Sequence, residues 1–164
     1  MPLIRSAHPD DVERICEIYN HYVRHGVATF EESAVSREEM RGRIDEVQQQ
    51  FFWLVYEDDA DGVIGYAYAA KWKTRSAYRF SVETSVYIDA AQCGRGIGKA
   101  LYAELLARLR GTDVHSVVGG VAGDNPASVA LHESFGFRQV ARFEEIGHKF
   151  GQWIAVTYFQ LLLA

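Results

Sequence analysis

Gln92-Cys93-Gly94-Arg95-Gly96-Ile97-Gly98-Lys99 is the stretch on which the reading of this chain turns. Before it lies a run of β-formers from Arg79 to Asp89 (RFSVETSVYID), and after it Ile97, Leu101, Leu105 and Leu109 recur every four residues up to about Arg110. Strand, glycine turn and helix is the order this predicts. Such a turn leaves backbone N–H groups pointing outward at the head of a helix, where aligned peptide dipoles add partial positive charge. Glycines let that backbone come close to a ligand because no Cβ intervenes. The cradle suits a pyrophosphate. Two common phosphate loops are excluded by the letters themselves. A dinucleotide fingerprint Gly-x-Gly-x-x-Gly begun at Gly94 finds Lys99 at its third glycine, and a P-loop fails at both Cys93 and Ala100.

Along the preceding strand, Val82, Thr84, Val86 and Ile88 share one face, while Glu83, Ser85 and Tyr87 share the other. Further upstream, 51–57 (FFWLVYE) and 63–71 (VIGYAYAAK) flank Asp58, Asp59, Asp61 and Gly62, which predicts a hairpin. Helical spacing of Val12, Ile15, Ile18, Tyr19, Tyr22 and Val23, with Pro9 before and Gly26 after, predicts a first helix. A second is expected over 36–50, where Ser36 and Glu39 fit a capping box. Residues 2–6 read as a short opening strand. Downstream come a strand at 114–121, a helix begun by Asp124-Asn125-Pro126 and ending near Gly136, and strands near 137–146 and 153–162. Helices interleaved with strands, without a repeat or linker, predict one mixed α/β domain over 1–164.

The 164 residues suffice for one core, and 48% hydrophobic with 24% charged residues is an ordinary globular composition. A net charge of −5 argues against a nucleic-acid partner and gives no electrostatic reason to sit on an anionic membrane. No signal-peptide run opens the chain, and no apolar stretch approaches the roughly 20 residues of a membrane helix. Cys16 and Cys93 lie far apart and read as free thiols, so a cytoplasmic protein is expected. Among the histidines only His21 and His25 stand at helical spacing. No glutamate completes a metal motif between them, so they read as a surface pair and no metal is expected.

The glycine segment resembles the acetyl-CoA pyrophosphate loop of the GNAT superfamily, [Gln/Arg]-x-x-Gly-x-Gly/Ala. Gly96 and Gly98 match its small positions, and Cys93 departs from the usual Gln or Arg. Residues 123–137 (GDNPASVALHESFGF) are similar to the family's Asn-x-x-Ala/Ser…Gly-Phe helix. Further segments at 19–23, 67–88, 116–137 and 148–160 resemble the phosphinothricin N-acetyltransferase group, which includes enzymes acting on methionine sulfoximine and methionine sulfone. The resemblance implies a GNAT fold, a central mixed and mostly antiparallel sheet of about seven strands with about four helices. It implies acetyl-CoA as co-substrate, a small-molecule amine as acceptor and a homodimer.

Acetyl transfer from a thioester to an amine needs a base to free the amine lone pair, donors for the developing oxyanion, and departure of a thiolate. In the family's pattern Glu83 is the base, directly or through water, and His132 is a general acid or a helper of the base. Backbone near Val86, with Tyr87 and Ile88, would pair with the pantetheine amides and supply an oxyanion donor. Gly94, Arg95, Gly96, Ile97, Gly98 and Lys99 would cradle the pyrophosphate, with Asn125 and Ser134 touching the cofactor arm. Lys73, Arg75 and Tyr78 would frame an anionic amino-acid acceptor, together with Thr84, Ser85 and Phe30; Trp72 and Phe30 can equally be core walls. Two alternatives stay open, a protein N-terminus as acceptor and a non-catalytic CoA-binding sensor. Polyamine and aminoglycoside acceptors are disfavoured because Lys73 and Arg75 would repel them.

Overall fold

The computed structural model describes residues 1–163. The expected hairpin forms β2 (Trp53–Asp58) and β3 (Gly62–Lys71), with Gly62 in the left-handed region at φ +70° where a side chain would be strained. β1 (Leu3–Ser6) pairs with β2, and β4 (Ser81–Ile88) pairs with β3, both antiparallel. β5 (Ser116–Ala122) runs parallel to β4, which requires a crossover, and α3 (Ile97–Arg110) lies within that connection. β6 (Arg138–Lys149) and β7 (Gln152–Leu162) complete a seven-stranded sheet in the order β1-β2-β3-β4-β5-β7-β6. All neighbouring pairs except β4–β5 are antiparallel.

Helices cover both faces. On one side Leu101, Leu105, Leu106 and Leu109 of α3 are buried with Ala67, Ala69 and Val82. On the other, α1 (Val12–His25) and α2 (Arg37–Gln48) bury Ile15, Ile18, Val23, Met40 and Ile44 with Val55 and Tyr66. Each such aliphatic side chain contributes about 1.5–3 kcal/mol by leaving water. α4 (Pro126–Ser134) begins at the Asn125 cap, whose side chain accepts from the Ser128 N–H at 3.1 Å.

Three features differ from the sequence expectation for physical reasons. Ser36 caps α2 by accepting from the Glu39 N–H at 3.1 Å, but the Glu39 carboxylate turns to Arg43 at 2.8 Å instead of closing the capping box. β4 starts at Ser81, not Arg79, because Ser76–Tyr78 form a 3-10 turn that delays the strand. β6 continues to Lys149, beyond the expected 146, because register shifts at Gln139/Ala141 and Phe143/Gly147 absorb extra residues and break the alternation.

The β6–β7 hairpin ties down the chain after α1. Lys149 is buried, and its ammonium donates to the Thr29 carbonyl at 2.8 Å and the Tyr22 carbonyl at 3.4 Å. Burial lowers its pKa while Glu32 and Glu31 oppose the shift. The Phe30 ring rests on Gly147, where any Cβ would overlap it. Between these anchors Ala28 lies against β4, its carbonyl accepting from the Tyr87 hydroxyl at 3.4 Å.

Candidate active site

The ladder between β4 and β5 joins Ser81–Thr84 to Ser116–Gly119 and stops there, although both strands continue. The parallel pair therefore parts, leaving the β5-facing edge of residues 85–88 without a neighbouring strand. A cavity of about 100 Å³ occupies the fork, lined by Thr84, Ser85, Val86 and Tyr87 on one side and Gly120, Val121 and Ala122 on the other. Ala28, Tyr102, Asn125, Ser128 and His132 close it. Strand backbone with one free edge can receive an extended ligand arm as an additional strand.

The glycine turn lies at the head of α3, beside this fork. Gly94 and Gly96 sit at φ +84° and +78°, and a Cβ on either would meet nothing, so conformation rather than space demands glycine there. Arg95 bonds Gln92 at 2.5 Å and Asp58 at 3.1 Å, and Lys99 is exposed. Ile97 corrects the expectation in one respect. Its side chain is core and only its backbone N–H is left for a ligand. Gly98 lies in ordinary contact range of Leu131 and Val86, so neither neighbour forces glycine there. Ser134 is exposed and donates to the Leu131 carbonyl at 2.7 Å, leaving its hydroxyl oxygen available; it does not line the fork. At position 93 the thiol is exposed, 3.7 Å from the Asp89 carbonyl.

Glu83 stands on the opposite face from Thr84. Its carboxylate lies by Gly120 and Tyr158, and a Cβ on Gly120 would come within 3.5 Å of its Oε2. Burial raises its pKa above the ordinary glutamate value, with Lys73 pulling the other way. Tyr158 is itself raised by burial and by Glu83, and its ring meets Trp72 edge-on at 5.7 Å. Lys73 rests its ammonium 4.7 Å from the Trp72 ring centroid. The structure thus gathers Glu83, Lys73, Trp72 and Tyr158, while Arg75 and Tyr78 are exposed on the β3–β4 connection. Thr84 departs from the expected acceptor group. It faces α3, is buried, and accepts a hydrogen bond from the Tyr102 hydroxyl at 3.1 Å.

His132 is buried beneath the fork. Its Nδ1 meets the Ser128 carbonyl at 2.7 Å and therefore carries the ring proton, which leaves Nε2 as an acceptor 3.5 Å from the Tyr102 hydroxyl. Burial lowers its pKa below the ordinary histidine value despite that carbonyl, so the ring is neutral at neutral pH. A Cβ on Gly119 would overlap this ring. Tyr102, which sequence reasoning passed over, is buried and held protonated by burial. The available signals were an aromatic one position beyond the leucine stripe of α3 and the Gly119-Gly120 pair inside a strand, which marks close approach.

A parallel pair that parts over a buried cavity, beside a glycine turn opening a helix, defines the class of acyltransferases that grip an extended thioester arm between strands. The family model for the acetyltransferase (GNAT) domain matches residues 4–157, and the chain belongs to this family as an N-acetyltransferase. A phosphinothricin N-acetyltransferase of Streptomyces coelicolor is 36% identical over 160 residues, covering 96% of this chain and 94% of its own length. An L-methionine sulfoximine/L-methionine sulfone acetyltransferase of Salmonella typhimurium is 36% identical over 161 residues, covering 98% and 94%. The crystal structure of a phosphinothricin acetyltransferase from Sinorhizobium meliloti in complex with acetyl-CoA superposes with a TM-score of 0.96 at 36% identity, covering 99% of this chain and 89% of that one.

The raised pKa of Glu83 has a consequence for stability. A carboxyl whose folded pKa lies above its unfolded value of 4.5 contributes stability that is full below that value and lost as pH rises through the folded pKa. Glu83→Gln removes the loss. Its melting temperature relative to wild type should climb as pH rises from below 4.5 through the raised folded pKa of Glu83. A pH-independent difference between the two melting curves would contradict the assignment.

Proposed function

We propose that this protein transfers an acetyl group from acetyl-CoA to the amino group of a small amino-acid-like acceptor, of the phosphinothricin, methionine sulfoximine or methionine sulfone type, with Glu83 as general base. The observation that carries the reading is the half-buried, pKa-raised carboxylate of Glu83, one residue from the fork and on the face opposite the cofactor side. The fork fits the proposed co-substrate because it offers a free strand edge, a narrow cavity and, beside it, a glycine turn at a helix head.

When bound, acetyl-CoA supplies the acetyl group as a thioester. Backbone N–H groups of Gly94 to Lys99 would hold its pyrophosphate, and Val86, Tyr87 and Ile88 its pantetheine arm, with Asn125 and Ser134 at the flank. The chain's own groups then move protons. Glu83 accepts one from the acceptor ammonium, directly or through water, and its raised pKa makes it a better base than an exposed glutamate. A backbone N–H near Val86 would donate to the oxyanion that develops on the thioester carbonyl. The bond from the acceptor nitrogen to the acetyl carbon would form as the C–S bond breaks and the CoA thiolate leaves; the protonated Tyr102 hydroxyl, which lines the fork, would supply the thiolate its proton, with neutral His132 beside it as a helper instead of a donor. Lys73, Arg75, Tyr78 and Ser85 frame the acceptor, with the carboxylate gripped by Arg75.

One domain over 1–164 carries all of this, and the working unit is a homodimer. Supporting that, β6 is a sheet edge and exposes Val140, Phe143 and Ile146, with Phe150 and the 65%-exposed Trp153 beside them. A long apolar edge of this kind is otherwise an aggregation hazard.

Thiol release from acetyl-CoA, measured across phosphinothricin, methionine sulfoximine, methionine sulfone, plain amino acids, spermidine and an aminoglycoside, should be confined to amino-acid acceptors. Glu83→Gln should lower kcat by about 10²-fold or more, and wild-type kcat/KM should rise with pH through a value above the ordinary glutamate range. Unchanged turnover removes Glu83 from the mechanism. Arg75→Ala should raise KM for the acceptor far more than for acetyl-CoA, and an equal rise in both would move Arg75 out of the acceptor site. Sedimentation velocity should give a dimer that Trp153→Arg shifts toward monomer; a wild-type monomer rejects the proposed assembly.

A further inference from the structure

A second and larger cavity, about 670 Å³, opens where α2 ends, β2 begins and β3 ends. Small-molecule sites occupy roughly 300–1,000 Å³, so this volume is of the right order, whereas the 100 Å³ fork has room only for the reacting end of an arm. The cavity is continuous with the acceptor side of the sheet. Ala70 lines it and is the cross-strand partner of Glu83; Tyr68 lines it and is the partner of Ser85. Directly opposed residues of this kind have Cβ atoms about 5 Å apart on one face. Thr74, on its rim, stands between Lys73 and Arg75. An amine at Glu83 and a carboxylate at Lys73 and Arg75 therefore leave the acceptor's side chain directed over Ala70 into this space.

The walls say which side chain. The Trp53 and Tyr68 rings stack at 4.1 Å between centroids and 9° between planes, and both line the cavity. Val47 and Phe51 add apolar surface, and Ala70 projects only a methyl group. Charge is largely cancelled. Arg43 is engaged by Glu31 at 3.1 Å and Glu39 at 2.8 Å, and the remaining charged lining groups, Glu46 and Lys71, are of opposite sign.

We infer that this cavity is the side-chain pocket of the acceptor site and that the enzyme prefers α-amino acids carrying a bulky apolar or aromatic side chain. The inference rests on the proposed placement of the amine at Glu83 and the carboxylate at Lys73 and Arg75. It adds Trp53, Tyr68 and Ala70 as the residues that set specificity.

The test compares kcat/KM for phenylalanine and alanine at saturating acetyl-CoA. Phenylalanine should exceed alanine at least tenfold, in keeping with the burial of an aromatic side chain. Ala70→Leu narrows the entrance and should reduce that ratio at least tenfold. A measurement on the wild-type protein guards against a misfolded variant. The Trp53 indole Nε1 is buried without a hydrogen-bond partner, so its N–H resonance reports on the cavity wall. It can be assigned by elimination with Trp72→Phe and Trp153→Phe. Phenylalanine should shift this resonance and alanine should not. Equal kcat/KM for the two acceptors with an unmoved Trp53 resonance overturns the pocket while leaving the proposed reaction standing, provided Glu83→Gln still loses turnover. Failure to acetylate any amino acid overturns both.

Discussion

The candidate site of this molecule depends on a ladder that stops. β4 and β5 pair for four rungs, ending at Thr84 and Gly119, and then diverge. Ending a ladder inside a sheet is costly, because backbone N–H and C=O groups lose their partners where water is scarce. The fold tolerates it by packing side chains beneath the opening. The His132 ring occupies the volume that a Cβ on Gly119 would claim, and the Tyr102 hydroxyl holds Thr84. His132 in turn is held by its own helix through the Ser128 carbonyl. The Tyr22 hydroxyl donates to the carbonyl of Ile88, satisfying one group at the far end of β4. What remains unpaired is a short free edge, and in the proposed reaction that edge is the cofactor's seat.

The consecutive glycines of β5 make the two-sided design visible. Neighbouring residues of a strand point to opposite faces. Gly119 yields its space to His132 on the face that carries α3 and α4, and Gly120 yields its space to Tyr158 and Glu83 on the other. On β4, Thr84 is paired with Gly119 and Glu83 with Val118, and the two divide between the same two faces. A slip of one residue in the β4–β5 register would exchange the faces and bury the carboxylate under α3, so the register is fixed by chemistry as well as by the hydrophobic pattern.

Local features were legible in the sequence because local physics sets them. Glycine turn, helix cap, hairpin and strand alternation each lie within a few residues, and each forms close to where it was expected. The strand faces of Glu83 and Thr84 could also be read from period two alone. What sequence could not give were contacts between distant positions. Lys149 meets Thr29 across 120 residues, and Tyr102 meets His132 across 30. A buried lysine held by carbonyls, or a tyrosine beneath a gap in the sheet, has no periodic signature. Grouping Thr84 with the acceptor residues ignored that period two places it on the face opposite Glu83. β6 was cut short because its bulges disrupt the alternation from which a strand is recognised.

The energetics of Glu83 explain why such a site has to be assembled from both sides. A carboxylate in a half-buried cleft is less stable as an ion than one in water, and that penalty is what raises its affinity for a proton. In the proposed reaction the same burial that would improve Glu83 as a base therefore subtracts from the stability of the folded state once the carboxyl is ionised. Lys73 relieves part of this cost from the β3–β4 connection, but it is exposed and rests against Trp72, so it cannot cancel the shift. Full neutralisation by a buried cation would return the pKa to the ordinary range and remove the advantage the proposed reaction draws from it. A partner that is close but solvated leaves the carboxyl poised between the two limits. On the proposed reading, an incoming acceptor ammonium would be the missing counter-charge, so binding and deprotonation would draw on the same electrostatic deficit.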